Sequence, residues 1–208
     1  YIKEVRAEQE AMAVAYDGPL PAGIPMLPEK VTKEGLSEIL ESSQDFILGL
    51  EREAVVPASF SFERPILIAS DSPAFVTNYY KLLEYHLERM SGKYNTLILD
   101  PSQRISNQLF DGIQRFDTSL EVDNVMKTIL EDFKKRVATP SQDYPKWLIL
   151  IPDIAATAMA AGMNEVDFKE LLTEGSRYGV TLVFAGAYQD LVTNQYDNFV
   201  KLVNQLVE

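Results

Sequence analysis

Four short apolar runs, each separated from the next by helical patterning, restrict what this chain can fold into. They are Ile66-Leu67-Ile68-Ala69, Tyr94 to Asp100 with its Leu97-Ile98-Leu99 centre, Trp147 to Ile151, and Val180 to Ala185. Such continuous runs read as strands covered on both faces, the signature of a parallel sheet joined by crossover helices. The helices are legible as well. Phe75, Tyr79, Leu82, Leu83, His86 and Met90 recur at helical spacing after the first run. Before the third, Thr118-Ser119-Leu120-Glu121 offers a capping box and Val122, Val125, Ile129, Phe133 and Val137 form an apolar stripe, with Lys134-Lys135-Arg136 complementing the negative end of the helix dipole. A further helix is predicted from about Asn164 to Tyr178, with Phe168, Leu171 and Leu172 inward and Gly179 as its stop. The last helix carries Tyr196, Phe199, Val200, Val203 and Leu206. Upstream, Phe46 to Leu50 and Val55 to Phe60 read as two strands joined by a charged turn.

The first 45 residues differ in kind. Ile2 to Tyr16 is a charged, weakly amphipathic helix, and Asp17 to Pro28 holds four prolines that exclude regular structure and lay the chain out as a linker. Thr32 caps a predicted short helix through Leu40. The expected division is therefore 1–45, an N-terminal helix and Pro-rich linker packed on the domain, and 46–208, the α/β domain itself. A chain of 208 residues with a net charge of −12 can form one sizeable core but makes a poor tracker of phosphate backbones. It has no cysteine, which excludes disulfides, thiolate metal sites and Cys nucleophiles. No apolar stretch approaches the roughly 20 residues that cross a bilayer, and nothing at the start resembles a signal peptide. A start in mid-helix without methionine is what an excised domain would show, and any membrane anchor of its parent is expected elsewhere.

The chemistry-bearing positions lie at the strand ends. A phosphate cradle of the form G-x-x-x-x-G-K-[ST] falls on Ser70-Asp71-Ser72-Pro73-Ala74-Phe75-Val76-Thr77, where only Thr77 fits. Glycines give such a loop its positive φ angles, lysine its charge and the backbone N–H groups their anion nest. Here Phe75 and Val76 replace Gly-Lys, Pro73 has no N–H and Asp71 adds the wrong charge. Pro152-Asp153 ends another strand, where an ATPase places an Asp that orders Mg²⁺ and a Glu that polarises water. Proline ligates nothing, and Asp153 reads as a solvated strand-end residue or as an acceptor for a hydrogen bond or water. Asp100 reads as a turn former before Pro101, and His86, the single histidine, as a hydrogen-bonded core residue. Arg177 is a candidate arginine finger for a neighbouring subunit's nucleotide, or a balance for its own helix dipole. The Ala- and Met-rich Ala155 to Met163 segment is either core or soft apolar surface for a peptide helix, with Met159, Met163, Tyr188 and Tyr196 as candidate partner contacts. No serine stands in a hydrolase setting and no metal-ligand spacing occurs.

In their order along the chain, Ile66 to Ala69, the loop to Thr77, Leu148 to Asp153, and Gly175-Ser176-Arg177-Tyr178-Gly179 running on to Ala185 resemble the FtsK/SpoIIIE class of P-loop translocases. Ile24-Pro25-Met26-Leu27-Pro28-Glu29 and Phe46-Ile47-Leu48-Gly49-Leu50-Glu51 make the chain similar, more specifically, to the C-terminal ATPase-like module of the EssC family, the membrane coupling ATPases of type VII (Ess/ESX) secretion. The resemblance spans most of the chain. It implies a RecA-like P-loop α/β fold, a mainly parallel sheet with helices on both faces, in which the Val180 strand lies between the Ile66 and Leu148 strands. Ser70, Asp71, Ser72, Thr77 and Asp153 then share a vestigial nucleotide crevice. Against the family's pattern, Ser70, Phe75 and Val76 take the places of Gly, Gly and Lys, and Pro152 and Asp153 those of the Mg-linked Asp and the catalytic Glu. Ser176 stands where a finger arginine is often found, with Arg177 one step later, and Ala187 replaces a sensor glutamine.

The resemblance thus implies a module with no catalytic residue of its own, inactive as an isolated domain, that serves substrate recognition and motor assembly. No cofactor is expected for this domain, while ATP and Mg²⁺ belong to intact modules of the parent. The implied partners are secreted WXG-type substrate proteins, other EssC modules and secretion-system components, with no nucleic acid and with the membrane only through the parent. The implied location is the cytoplasmic face of the cell membrane. A weakly active ATP-binding or ATPase module, or an FtsK-like DNA translocase domain, are the alternatives.

Overall fold

In a computed structural model, a five-stranded all-parallel sheet forms the centre of the molecule. The structure describes residues 46–51, 55–89, 92–141 and 143–207, with isolated positions (6–9, 11, 32, 34, 35 and 37) before them. The predicted linker Asp17 to Pro28 and Met90 lie outside the described residues, as does most of the two predicted N-terminal helices. What is described there agrees with helix: residues 6–9, 11, 34, 35 and 37 are helical, Thr32 Oγ1 accepts from Gly35 N, and the Ser37 and Tyr85 hydroxyls share a hydrogen bond of 2.9 Å.

The strands of the sheet are β3 (Ile66–Ser70), β4 (Tyr94–Leu99), β5 (Gln114–Phe116), β6 (Lys146–Ile151) and β7 (Val180–Ala187), arranged β3-β7-β6-β4-β5. The Val180 strand does lie between the Ile66 and Leu148 strands, with Ile66 opposite Val183 and Leu148 opposite Thr181. A separate antiparallel hairpin, β1 (Phe46–Leu50) and β2 (Pro57–Phe60), carries a bulge between Ile47 and Gly49. Sheet side chains alternate between two cores. Leu97, Leu99, Ile149, Ile151, Leu182 and Phe184 enter one, while Ile98, Leu148, Leu150, Val183 and Ala185 enter the other. Both faces being dry explains why these strands are apolar throughout.

Helix α1 (Pro73–Arg89) covers the second face with Tyr79, Tyr80, Leu83, His86 and Leu87. The predicted stripe is rotated at its start, because Phe75 is exposed and Tyr80 is buried in its stead. Helices α2 (Ser119–Ala138), α3 (Ile154–Ala160), α4 (Glu165–Glu174) and α5 (Asn198–Leu206) cover the first face. The capping box is present: Thr118 Oγ1 accepts from Glu121 N at 3.3 Å and Glu121 Oε2 from Thr118 N at 3.2 Å. Val122, Ile129 and Phe133 are buried as the stripe requires.

Four local expectations change. Strand β5 was not expected, since Gln114-Arg115-Phe116 has no apolar pattern; it forms by pairing with Leu97 to Leu99. The Asn164 to Tyr178 helix is α-helical only to Glu174 and tightens to a 3₁₀ turn over Gly175–Tyr178. A Cβ on Gly175 would sit 2.6 Å from the Val180 carbonyl, so the close return to β7 requires glycine there, and Gly179 closes the turn at φ 80°. Arg136 does not simply balance the α2 dipole. It is buried, donates through Nη1 to the Pro145 and Tyr178 carbonyls at 2.8 and 3.0 Å, and pairs with Asp132 at 2.6 Å. Tyr196 precedes α5 instead of lining it, because Asp197 caps that helix at Phe199 N and Val200 N; Leu206, at its far end, is exposed.

Candidate functional site at the carboxyl end of the sheet

β3, β6 and β7 end together at one edge, beside a cleft whose lining takes in Ser70, Asp71 and Thr77 of the expected crevice but not Ser72 or Asp153. The cleft, of about 580 Å³, is lined by Ser70, Asp71, Thr77 and Tyr80 on one side and by Arg104, Tyr188, Asp190 and Thr193 on the other. Its loop is closed by its own side chains: Ser70 Oγ accepts from Ser72 N at 3.1 Å and Ser72 Oγ from Phe75 N at 3.4 Å. Thr77 Oγ1 donates back to the Pro73 carbonyl at 2.9 Å, an intrahelical bond. Asp153 is not the solvated residue its position suggested. It is buried, caps α3 by accepting from Ala156 N at 3.0 Å, and stands 3.7 Å from Arg104.

Two residues with no sequence signal complete the site. Arg104 Nη2 donates to Asp190 Oδ1 at 2.9 Å, linking the loop after β4 to the π-helical turn Gln189–Thr193 after β7. Burial and the nearby Asp153 hold the Asp190 carboxyl above its usual pKa, with Arg104 opposing. Asp100 places Arg104: its carboxylate accepts from Arg104 N and Ile105 N, both at 2.8 Å, the turn role expected of it. Burial raises its pKa, against those same N–H bonds. Tyr80 reaches from α1 under the cleft to donate to the Ala185 carbonyl at 2.7 Å. Gly186 allows β7 to pass the Pro152 carbonyl, which a Cβ would meet at 2.7 Å.

These residues do not fit a Mg-nucleotide. Pro152 offers no side-chain ligand, the Thr77 hydroxyl and the Asp153 carboxylate are engaged within the chain, and the carboxylates of Asp71 and Asp190 line the cleft. Among the described residues, no group of three or more His, Asp or Glu side chains is arranged to hold a metal. Arg177 lies before β7, at the opposite end of the sheet from Ser70, pairs loosely with Glu174 at 3.7 Å and covers the Tyr178 ring. Of the candidate partner contacts, Met159, Tyr188 and Tyr196 are exposed at 80%, 48% and 96%, while Met163 packs against the core beneath α3.

No protein-family model matches the chain. The type VII secretion system protein EssC of Staphylococcus aureus strain MSSA476 is 24% identical over 214 residues, covering 99% of this chain and 14% of the relative. That match runs almost end to end. Over nearly its whole length the chain is similar to EssC, a type VII secretion system protein. The EssC chain from Geobacillus thermodenitrificans described as ATPases 2 and 3 superposes with a TM-score of 0.65 at 16% identity, over 99% of this chain and 41% of its own. EccC of Thermomonospora curvata, also ATPases 2 and 3 and in complex with a signal sequence peptide, superposes at 0.64 with 14% identity, over 95% and 38%. The α/β P-loop-like fold of the EssC-type domain is thus shared. Since it spans 14% of its curated relatives, it corresponds to one part of such a protein. No helix among its described residues is long and apolar enough to cross a membrane.

Proposed function

We propose that this EssC-type domain is a catalytically degenerate module of a type VII secretion protein, serving substrate recognition and motor assembly in the export of small WXG-type proteins. One observation carries the reading: of the five polar groups left at the nucleotide positions, Ser70, Ser72, Thr77 and Asp153 bond within the chain, the fifth, Asp71, adds negative charge to the cleft, and the Arg104–Asp190 pair stands beside them. A charge-assisted hydrogen bond contributes about 1.5 to 3 kcal/mol, so losing two weakens nucleotide binding roughly 10²-fold to 10⁴-fold. The domain therefore needs no cofactor, while intact modules of the parent use Mg-ATP.

Recognition is then the remaining task. The exposed Met159, Tyr188 and Tyr196 offer anchors that a helical or C-terminal export segment buries, and binding rests on a few such contacts. The resemblance of the EccC relative bound to a signal sequence peptide supports this assignment. Its partners are secreted substrates, neighbouring modules and other secretion components, and its place is the cytoplasmic face of the membrane through the parent protein.

Calorimetry tests both halves. With millimolar Mg-ATP no saturable heat is expected; a saturable signal that disappears in Thr77→Ala would make the domain a weak ATP-binding module instead. With a type VII substrate or its C-terminal tail, saturable binding that weakens in Met159→Glu is expected. Uptake of duplex DNA with a steep salt dependence would move the domain to the translocase class.

A further inference from the structure

The old nucleotide cleft has reversed its charge. Asp71 stands at its mouth, Asp190 lines it and Asp153 lies behind, against the single guanidinium of Arg104, which leaves an excess of two negative charges. Arg104 shows what such a cleft holds: Asp190 grips it at 2.9 Å while nearly half of its side chain stays exposed toward the opening. The remaining walls are largely apolar, from Val76, Tyr80, Leu109 and Ala187. One exposed aromatic ring borders them, Tyr188 just past the end of β7. The setting is not accidental to one loop. Among the described residues nine large apolar side chains are exposed, and five of them (Phe75, Leu120, Val166, Tyr188 and Tyr196) stand at helix starts or strand exits on the carboxyl side of the sheet. Exposed apolar area gathered at one end marks a contact surface for a polypeptide.

We propose that this cleft seats a basic side chain, arginine or lysine, carried by an apolar segment of a partner protein. The charge lies beside Asp71 and Asp190, and the flanking apolar residues cover Tyr188 and the apolar walls. This rests on the reading of the domain as a recognition module and specifies the chemistry that it recognises. The charge excess selects a cation, and the apolar walls and rim select a polypeptide over a bare polyamine.

The test uses the isotope-labelled 208-residue chain and blocked tripeptides, acetyl-Leu-Arg-Leu-amide with its lysine, citrulline and glutamate counterparts, followed by amide chemical shifts. The arginine and lysine peptides should bind in the millimolar range, shifting Asp71, Thr77, Tyr188 and Asp190. The citrulline and glutamate peptides should bind about tenfold more weakly, the loss of one charge-assisted contact. Affinity should fall several-fold when salt is raised from about 50 to 500 mM, and in Asp71→Asn, whose exposed side chain leaves folding intact. Equal binding of arginine and citrulline peptides, shifts located elsewhere, or spermidine matching the arginine peptide would overturn the proposal. If a secretion substrate binds through Met159 while the arginine peptide leaves the cleft undisturbed, this inference fails and the recognition function stands. If Mg-ATP binds and displaces the peptide, the recognition reading itself fails.

Discussion

Strand β7 is buried from Val180 to Gly186, its side chains dividing between two dry cores, whereas one residue past its end Tyr188 is half exposed and Asp190 pairs sideways with Arg104. The sheet interior is what any parallel α/β domain needs. The rim is where, on the proposed reading, the chain departs from nucleotide chemistry, and four of its polar side chains are locally satisfied: Ser70 and Ser72 close the first loop, Asp153 caps α3, and Thr77 bonds its own helix. Stability resides mainly in apolar area, so the rim is free to change as long as no buried polar group is orphaned.

The contrast is broken or sharpened by paired substitutions. The largest effect is expected in the interior: Phe184→Ala should cost about 3 to 5 kcal/mol, lowering Tm by roughly 10 °C for a chain of this size. Tyr188→Ala, at the rim of the same strand, should stay within about 0.5 kcal/mol. Denaturant melts that ranked the two equally would dissolve the distinction.

Next come two methionines four residues apart. Met163→Glu places a charge against the core beneath α3 and should cost about 2 kcal/mol or more. Met159→Glu, 80% exposed, should leave the melting curve unchanged and weaken only partner capture. Normal capture by the Met159 variant would remove Met159 from the contact surface.

The third test uses pH. His86 is fully buried against Phe46 with its Nε2 3.0 Å from the Ile47 carbonyl, and burial pushes its pKa down to about 4. The unfolded chain takes up that proton near pH 6.5. Stability from this group is therefore complete above about pH 6.5 and declines as the pH falls toward 4. Asp100 and Asp190, raised by burial, act with the opposite sign, so the slope belonging to the histidine is the difference between wild type and His86→Gln. Identical urea midpoints against pH in both proteins would mean that the hairpin docks without a neutral imidazole.

The smallest effect is expected at the α3 cap. Asp153→Ala should lose about 1 kcal/mol and leave the response to Mg-ATP as it was. A change in nucleotide binding would return Asp153 to the chemistry its position suggests.

The parallel sheet was legible because strands covered on both faces must be apolar at every position, and Leu97 to Leu99 or Leu148 to Ile151 are apolar for no other reason. The α2 start was legible because a capping box is a contact between residues three apart, Thr118 and Glu121. Strand β5 escaped notice since nothing in Gln114-Arg115-Phe116 prefers a strand until β4 is alongside. The loss of the phosphate cradle was equally a local matter, readable from Pro73, Phe75 and Val76.

What replaced the cradle was not local. Arg104 and Asp190 are 86 residues apart and meet only because β4 and β7 end at the same edge of one sheet. Likewise Met159 and Met163 share a segment and a residue type, yet packing turns the first to solvent and the second to the core. Sequence alone determined most of the elements and the missing Gly-Lys pattern of the loop, because propensity, capping and apolar period act over a few residues. Tertiary structure decided which charges pair across the crevice and which apolar side chains stay exposed, because those depend on distances that only the closed sheet sets.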